Sequence, residues 1–211
     1  MLVDGVYYVA YLDDGHGLQT PGKRTPSIPE LDDRVIKENE FNRNVVALMF
    51  RYFKGNNVTP VLVAPTDKDD SLSLRTSRAN RHYDDLCKKY GRTKVKAVYL
   101  SVHYDAHTGS FSTSKGEGHS VFIYLGTQDG QSGKLADAVY KEMRQGTTQK
   151  GRGIREANFQ VLRTTKMPAI LTENGFMDNK REAKLMIDAA FQSEVAQEHV
   201  RGTLKYFGLR K

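Results

Sequence analysis

Three apolar segments of the chain each lead into a residue that can bind a metal or move a proton. The segment YYVAYLDD precedes Gly15-His16-Gly17, AVYLSV precedes His103, and PAILT precedes Glu173. In open α/β sheets the reactive groups gather beyond the carboxyl ends of the strands, so we expect these side chains to meet in one crevice. Two imidazoles and a carboxylate are typical of a catalytic zinc shell whose fourth position is left to water. One histidine after a strand is more often structural, so the prediction depends on the combination.

The elements that must position these residues alternate between strands and helices. Predicted strands are Val6–Leu12, Thr59–Ala64, Lys96–Val102, Ser120–Leu125 and Pro168–Thr172. Predicted helices cover Phe41 to Tyr52, Leu74–Lys89, Gly133–Arg144 and Lys180–Phe207, the last as one long helix or a broken pair. This alternation predicts an α/β fold, with a mostly parallel sheet and helices on both faces. No linker or repeat divides the chain, so a single domain is expected.

The composition excludes several classes of protein. The chain has 211 residues and one Cys, which excludes an intramolecular disulfide scaffold and a Cys-rich zinc module. No apolar run approaches the ~18 residues of a membrane span, and the first residues lack the basic segment of a secretory signal. The net charge of +7 favours a polyanionic partner, either nucleic acid or a bacterial wall. The cations are scattered and show no nucleic-acid-binding motif, so charge does not choose between the two.

Five sequence blocks, in order along the chain, resemble one enzyme family. The blocks are GHG, ENEFNRN, SLSLRTSRAN, LSVHYDA and RGIREANFQVLRTTKMPAILTENGFMDN. They resemble the zinc-dependent N-acetylmuramoyl-L-alanine amidases of the type-3 family, over a stretch from about Val6 to Phe207. The resemblance implies a twisted sheet of about six strands surrounded by helices. It also implies one zinc ion held by His, Glu and His, and a second Glu that acts on water.

Carried onto this chain, the resemblance gives each site residue a role. It implies His16 and His103 as zinc ligands and Glu173 as the catalytic acid/base. The ligand Glu of the family opens a helix and is followed four residues later by Asn, a spacing that both Glu38 and Glu40 satisfy. We prefer Glu40, because EFNRNVVAL then aligns with the family helix, although Glu38 shares a helix face with apolar residues. The other glutamate is then an acidic first-turn residue favoured by the helix dipole.

Other histidines rank below these candidates. His107 and His119 are expected to be exposed loop residues, and His82 and His199 to lie on helix surfaces.

The sequence departs from the family pattern at Leu18, where a second Gly is common. It departs again after the second ligand His, where Tyr-Asp replaces Ala-Asn. These departures concern contacts with the substrate rather than the metal shell.

The function implied is hydrolysis of the amide bond between N-acetylmuramic acid and L-alanine in peptidoglycan. We expect residues 1–211 to form one zinc amidase catalytic domain without a separate wall-binding domain. The expected protein is monomeric and does not bind nucleic acid or insert into membranes. A phage endolysin, a spore-associated enzyme and a chain whose leader was removed all agree with the absence of a signal. Another zinc peptidase acting on wall peptides and a non-catalytic peptidoglycan-binding module are the alternatives.

Overall fold

The computed structural model describes residues 2–210, in which one sheet carries the metal-ligand candidates. Its seven strands are β1 (Leu2–Val3), β2 (Val6–Asp13), β3 (Thr59–Leu62), β4 (Val95–Asp105), β5 (His119–Ile123), β6 (Gly151–Glu156) and β7 (Ala169–Phe176). The order across the sheet is β1-β2-β4-β7-β5-β6, and β3 also pairs with β2. The β2, β3, β4 and β7 strands are parallel, whereas β5 is antiparallel to β7. The starts of β5 and β6 therefore lie at the same edge as the carboxyl ends of β2, β4 and β7.

Six α-helices cover the sheet. They are α1 (Glu38–Lys54), α2 (Leu72–Tyr90), α3 (Gln131–Gly146), α4 (Gln160–Thr164), α5 (Lys180–Leu185) and α6 (Ala189–Phe207). Short 3-10 turns occur at Pro29–Leu31 and Arg92–Lys94. The region expected as a long helix or a broken pair is a broken pair, since Asp188 caps α6 by accepting a hydrogen bond from the Phe191 N–H. Within residues 2–210, no helix is both long enough and apolar enough to cross a membrane.

Alternation along the central strands divides the core between the two faces of the sheet. Ala10 and Leu12 of β2 pack in one apolar cluster with residues of α1, α3 and α6. Val9 and Tyr11 pack in the other cluster with residues of α2 and α4. Successive side chains of a strand point to opposite faces, so a strand buried on both faces is apolar at nearly every position. The predicted α/β class, with a mostly parallel sheet and helices on both faces, is confirmed.

Candidate metal centre

His16, Glu38 and His103 come together at the carboxyl edge of the sheet. Their ligand atoms all lie within 4.8 Å of one another. His16 follows β2, Glu38 is the first residue of α1, and His103 lies near the end of β4. The Nε2 atom of His16 is 3.4 Å from Glu38 Oε2, and the Nδ1 atom of His103 is 3.0 Å from Glu38 Oε1. The two imidazole rings are perpendicular, with centroids 4.9 Å apart.

The turn that presents His16 is held through its backbone carbonyls. His16 has a φ of 61°, in the left-handed region. The side-chain amide of Asn39 donates to the carbonyls of Asp14, Gly15 and His16, at 2.8, 3.1 and 3.1 Å. The guanidinium of Arg75 donates a further bond to the His16 carbonyl, at 2.8 Å. These bonds hold a backbone conformation that a histidine seldom adopts.

Arg75 connects that turn to the sheet. Its side chain is 1% exposed, and its Nη1 atom lies 2.5 Å from the Oδ1 atom of Asp13 in β2. The Oδ2 atom of Asp13 accepts hydrogen bonds from the hydroxyls of Tyr99 and Ser101 in β4, at 2.9 and 2.8 Å. A buried charge pair is tolerated when its remaining polar atoms are hydrogen-bonded in this way. The network therefore fixes the turn relative to the two strands below the site.

Gly15 lies against the ring of His103. A Cβ atom at Gly15 would lie 2.5 Å from the nearest ring atom of His103, closer than van der Waals contact allows. The first glycine of the GHG block is therefore required by the close approach of the two ligand-bearing segments.

The structure corrects the choice between the two glutamates. Glu40, which we preferred from the sequence, is outside the converging group of His16, Glu38 and His103, and its Oε2 atom accepts a hydrogen bond from Arg34 at 3.1 Å. Its Oε1 atom accepts from the backbone N–H of Lys37 at 3.4 Å, so Glu40 forms part of the capping box of α1. Glu38 instead lies on the buried face of α1. The signal that identifies it, its shared helix face with apolar residues, was present in the sequence.

The two oxygens of the Glu38 carboxylate have different surroundings. Its Oε1 atom accepts hydrogen bonds from the Tyr104 backbone N–H at 3.1 Å and from the Asn42 amide at 3.4 Å. Its Oε2 atom is buried, has no hydrogen-bond partner among residues 2–210 and lies 3.8 Å from Lys23 Nζ. Burial acts to raise the pKa of Glu38, but the hydrogen bond and charge of His103 hold it below its usual value. A buried anionic oxygen without a donor fits a bound cation.

His16 is suited to act as a ligand at neutral pH. Burial lowers the pKa of His16 to about 4, and the nearby Glu38 carboxylate opposes that shift only in part. The imidazole is therefore neutral at pH 7, which leaves a ring nitrogen lone pair free for a metal. The residues present thus fit the zinc site that the family resemblance implies.

Glu173 lies beside the three ligand candidates. It belongs to β7 and is the register partner of His103 in β4. Its Oε2 atom is buried without a hydrogen-bond partner. Burial, followed by the charges of Glu38 and Asp105, raises the pKa of Glu173 well above its usual value. Asn174 donates a hydrogen bond of 3.0 Å to the His103 carbonyl and so joins the two strand ends.

Two histidines are placed differently from the sequence prediction. His119 and His199 were expected to be exposed, but they are 1% and 0% exposed. His199 donates from Nδ1 to the Val195 carbonyl at 2.7 Å and accepts at Nε2 from the Thr172 hydroxyl at 2.8 Å. Its position four residues after buried Val195 on α6 was the available signal. His107 is exposed, as predicted.

Two charged residues lie near the centre: Lys23, which was not identified from the sequence, and Asp105, which was expected with Tyr104 to bear on substrate contacts. Lys23 brings an ammonium group to the Glu38 carboxylate from the loop that precedes α1. Asp105, at the end of β4, is half-buried and lies close enough for its charge to act on Glu173. The Tyr104 side chain was expected to line the cleft, but it is buried and its hydroxyl donates to the Glu182 carbonyl at 2.8 Å.

Known proteins match the chain over nearly its full length. It is 29% identical over 201 residues to the N-acetylmuramoyl-L-alanine amidase CwlM of Bacillus licheniformis, covering 95% of this chain and 69% of that protein. It is 33% identical over 208 residues to the endolysin of Bacillus phage SPP1, covering 96% of this chain and 67% of that protein.

Solved structures agree with this likeness. The N-acetylmuramoyl-L-alanine amidase of Clostridium difficile 630 superposes with a TM-score of 0.78 at 27% identity, over 96% of this chain and 97% of that one. The catalytic domain of CwlV from Bacillus (Paenibacillus) polymyxa var. colistinus gives 0.75 at 25% identity, over 96% and 99%. The sequence profile described as N-acetylmuramoyl-L-alanine amidase matches residues 11–205. With the fold, the converging ligand candidates and this match in agreement, the chain belongs to the N-acetylmuramoyl-L-alanine amidase family.

Proposed function

We propose that this protein cleaves the amide bond between N-acetylmuramic acid and L-alanine in bacterial peptidoglycan. In this proposal His16, Glu38 and His103 hold one zinc ion, and Glu173 is the acid/base. The observation that carries it is that the ligand atoms of His16, Glu38 and His103 lie within 4.8 Å of one another. The Glu38 carboxylate also has a buried oxygen, Oε2, without a hydrogen-bond donor among residues 2–210. Membership of the amidase family supports the choice of bond.

The protein groups divide the chemical work. A zinc ion in this position supplies a Lewis acid, which polarises the scissile carbonyl and makes water a better nucleophile near pH 7. Neutral His16 offers a ring nitrogen lone pair, and Glu38 offers the negative charge that a divalent ion requires. The bonds from Asn39 and Arg75 to the His16 turn keep that ligand in place before metal arrives.

Glu173 moves the proton. Its carboxylate accepts a proton from the attacking water and then gives it to the departing amine of L-alanine. Burial beside the Glu38 and Asp105 carboxylates raises the pKa of Glu173 above its ordinary value, and a raised carboxyl pKa brings proton uptake and proton release closer in free energy. Its Oε2 atom has no other hydrogen-bond partner to compete for that proton.

The chain's charge and its relatives support a wall substrate. The net charge of +7 favours encounter with a wall rich in carboxylates and phosphates. One relative is an endolysin of a Bacillus phage, and others are named as amidases of Bacillus species. We infer that lysis of the cell wall is the biological outcome of the reaction.

The test is digestion of purified peptidoglycan followed by mass measurement of the products. The proposal predicts peptides with a new amino-terminal L-alanine and glycan strands without new reducing ends. New amino termini on other residues would instead identify a wall peptidase. Zinc analysis of the same sample should give about one ion per chain. The variants His16→Ala and His103→Ala should lose both the metal and lysis, and full zinc retention in the double variant would contradict the ligand assignment.

A further inference from the structure

A groove lies along α3 on the outer surface of the domain, and Lys205 and Tyr206 of α6 complete its lining. Its volume is about 1090 Å³, and its lining extends from Gln131 to Gln145. At 1.5 Å per residue this part of α3 is about 21 Å long, enough for an extended chain rather than a small molecule. The hydroxyl of Tyr206 donates to the Gln131 side chain at 3.1 Å, which fixes one end of the groove.

Positive charge dominates the groove. Lys134, Lys141 and Arg144 are exposed along α3, and none forms an ion pair within residues 2–210. A further lining cation, Lys205, is bonded to Glu142, and Asp137 is the one acidic lining residue. Three unpaired like charges on one helix repel one another, and a bound polyanion relieves that repulsion. The groove is therefore complementary to an anionic chain.

Two tyrosines add apolar surface to the groove. Tyr140 and Tyr206 are half-buried and belong to the lining. The Tyr140 hydroxyl accepts a hydrogen bond of 2.9 Å from the Gly153 N–H, which orients its ring. An aromatic ring with a polar tip suits a ligand with both apolar and hydroxylated surfaces, as sugars have.

One end of the groove lies toward the edge of the sheet that holds the metal centre. Arg144 packs on Gly151, whose added Cβ would lie 2.5 Å from the Arg144 Cδ atom. Gly151 of β6 pairs with His119 of β5, and the adjacent Ser120 pairs with Glu173 of β7. Neighbouring strands are about 4.8 Å apart, so Gly151 lies about two strand spacings, ~10 Å, from β7 within the sheet. The Arg144 end of the groove and the metal centre therefore lie toward the same edge of the sheet, which a long polymer can span.

We propose that the α3–α6 groove binds the glycan–peptide strand of peptidoglycan outside the catalytic centre, by pairing its cations with the free carboxylates of peptide stems. This inference rests on the proposed function for the identity of the polymer. It adds a second binding surface on the catalytic domain itself.

The test compares two triple variants of equal charge. The groove variant carries Lys134→Gln, Lys141→Gln and Arg144→Gln. The control carries Lys54→Gln, Arg81→Gln and Lys94→Gln, three exposed cations outside the groove that also lack ion pairs within residues 2–210. Each variant lowers the net charge by three, from +7 to +4. Both are made in the Glu173→Gln background, so that walls stay intact while binding is measured by sedimentation.

The groove variant should bind purified walls about tenfold more weakly, equivalent to about 1.4 kcal/mol, and the control less than ~2-fold more weakly. Binding should be the same on walls stripped of phosphate polymers, because the proposed contacts are to peptide carboxylates. The charge-keeping variant Lys134→Arg, Lys141→Arg, Arg144→Lys should bind normally, and unchanged melting temperatures verify folding.

Three outcomes would overturn the proposal. Equal weakening in the groove and control variants would mean that net charge alone drives adsorption. Loss of binding on stripped walls would identify phosphate polymers as the ligand. Unchanged binding of the groove variant would remove the groove from recognition altogether. The proposed reaction is tested separately, by measuring the amino groups that the unaltered chain releases from walls. No release would contradict the reaction but not the binding of walls by the groove.

Discussion

Replacing Glu38 and Glu40 in turn tests the assignment of the carboxylate ligand, because the two lie in the same helical turn. Glu38→Ala removes one of three converging ligands and the anionic oxygen that has no donor of its own. Loss of an outer-shell partner of a metal ligand costs 10- to 100-fold in metal affinity, so loss of a ligand should cost more than ~100-fold. Glu40→Ala removes an ion pair with Arg34 in which the two side chains are 33% and 50% exposed. Its effect on zinc affinity should stay below ~3-fold.

The two variants should also differ in stability without metal. Glu38→Ala leaves the buried Tyr104 N–H without its acceptor, which costs about 1–3 kcal/mol. Glu40→Ala loses an exposed ion pair, worth about 0.2–1 kcal/mol, together with its share of the helix cap. Zinc affinity is measured by competition with a chelator, and stability by urea unfolding of the metal-free protein. Strong loss of zinc in Glu40→Ala with retention in Glu38→Ala would refute the assignment.

Three further variants test other parts of the structure. Glu173→Gln should bind zinc normally but hydrolyse muropeptides ~10²- to 10⁴-fold more slowly. Metal content and turnover are measured on one sample, and full turnover would eliminate Glu173 as the acid/base. Gly15→Ala should displace the His103 ring and lower zinc affinity at least ~10-fold, as chelator competition would show, because the new Cβ would lie 2.5 Å from that ring. Burial raises the pKa of Glu198 from 4.5 to about 8, so its contribution to stability is complete below pH 4.5 and is lost as pH rises through 8. Glu198→Gln should flatten that decline in urea titrations at pH 5 and pH 8.5, and an unchanged slope would show that Glu198 is ionised in the folded protein.

Much of the sheet could be predicted because its central strands are buried on both faces. Segments such as Lys96–Val102 and Pro168–Thr172 are nearly continuous apolar runs, and a polar residue directly after such a run marks the edge of a parallel sheet. His103 and Glu173 were found in this way, and the structure makes them register partners. Local pattern is sufficient here because the strand itself carries each side chain to the site.

Edge elements were less visible in the sequence. The β6 strand, GRGIRE, was not predicted because it has no apolar alternation, and its residues are half-buried or exposed. The antiparallel direction of β5 was also undetermined, because strand direction depends on connections rather than on side-chain pattern. That direction is what brings the starts of β5 and β6 to the site edge.

The sequence alone determined the amidase family and the α/β class, and it predicted His16, His103 and Glu173 as site residues. Only the tertiary structure shows that Glu38, rather than Glu40, lies with the two histidines. Both open the same helix with the same spacing to Asn, but residues two apart on a helix point about 200° away from each other. Which of them faces the histidines depends on how α1 docks on β4, where Glu38 accepts the Tyr104 N–H while Glu40 faces Arg34. The packing of α1 on β4 depends on contacts between residues far apart in the sequence, so the local sequence pattern does not predict it.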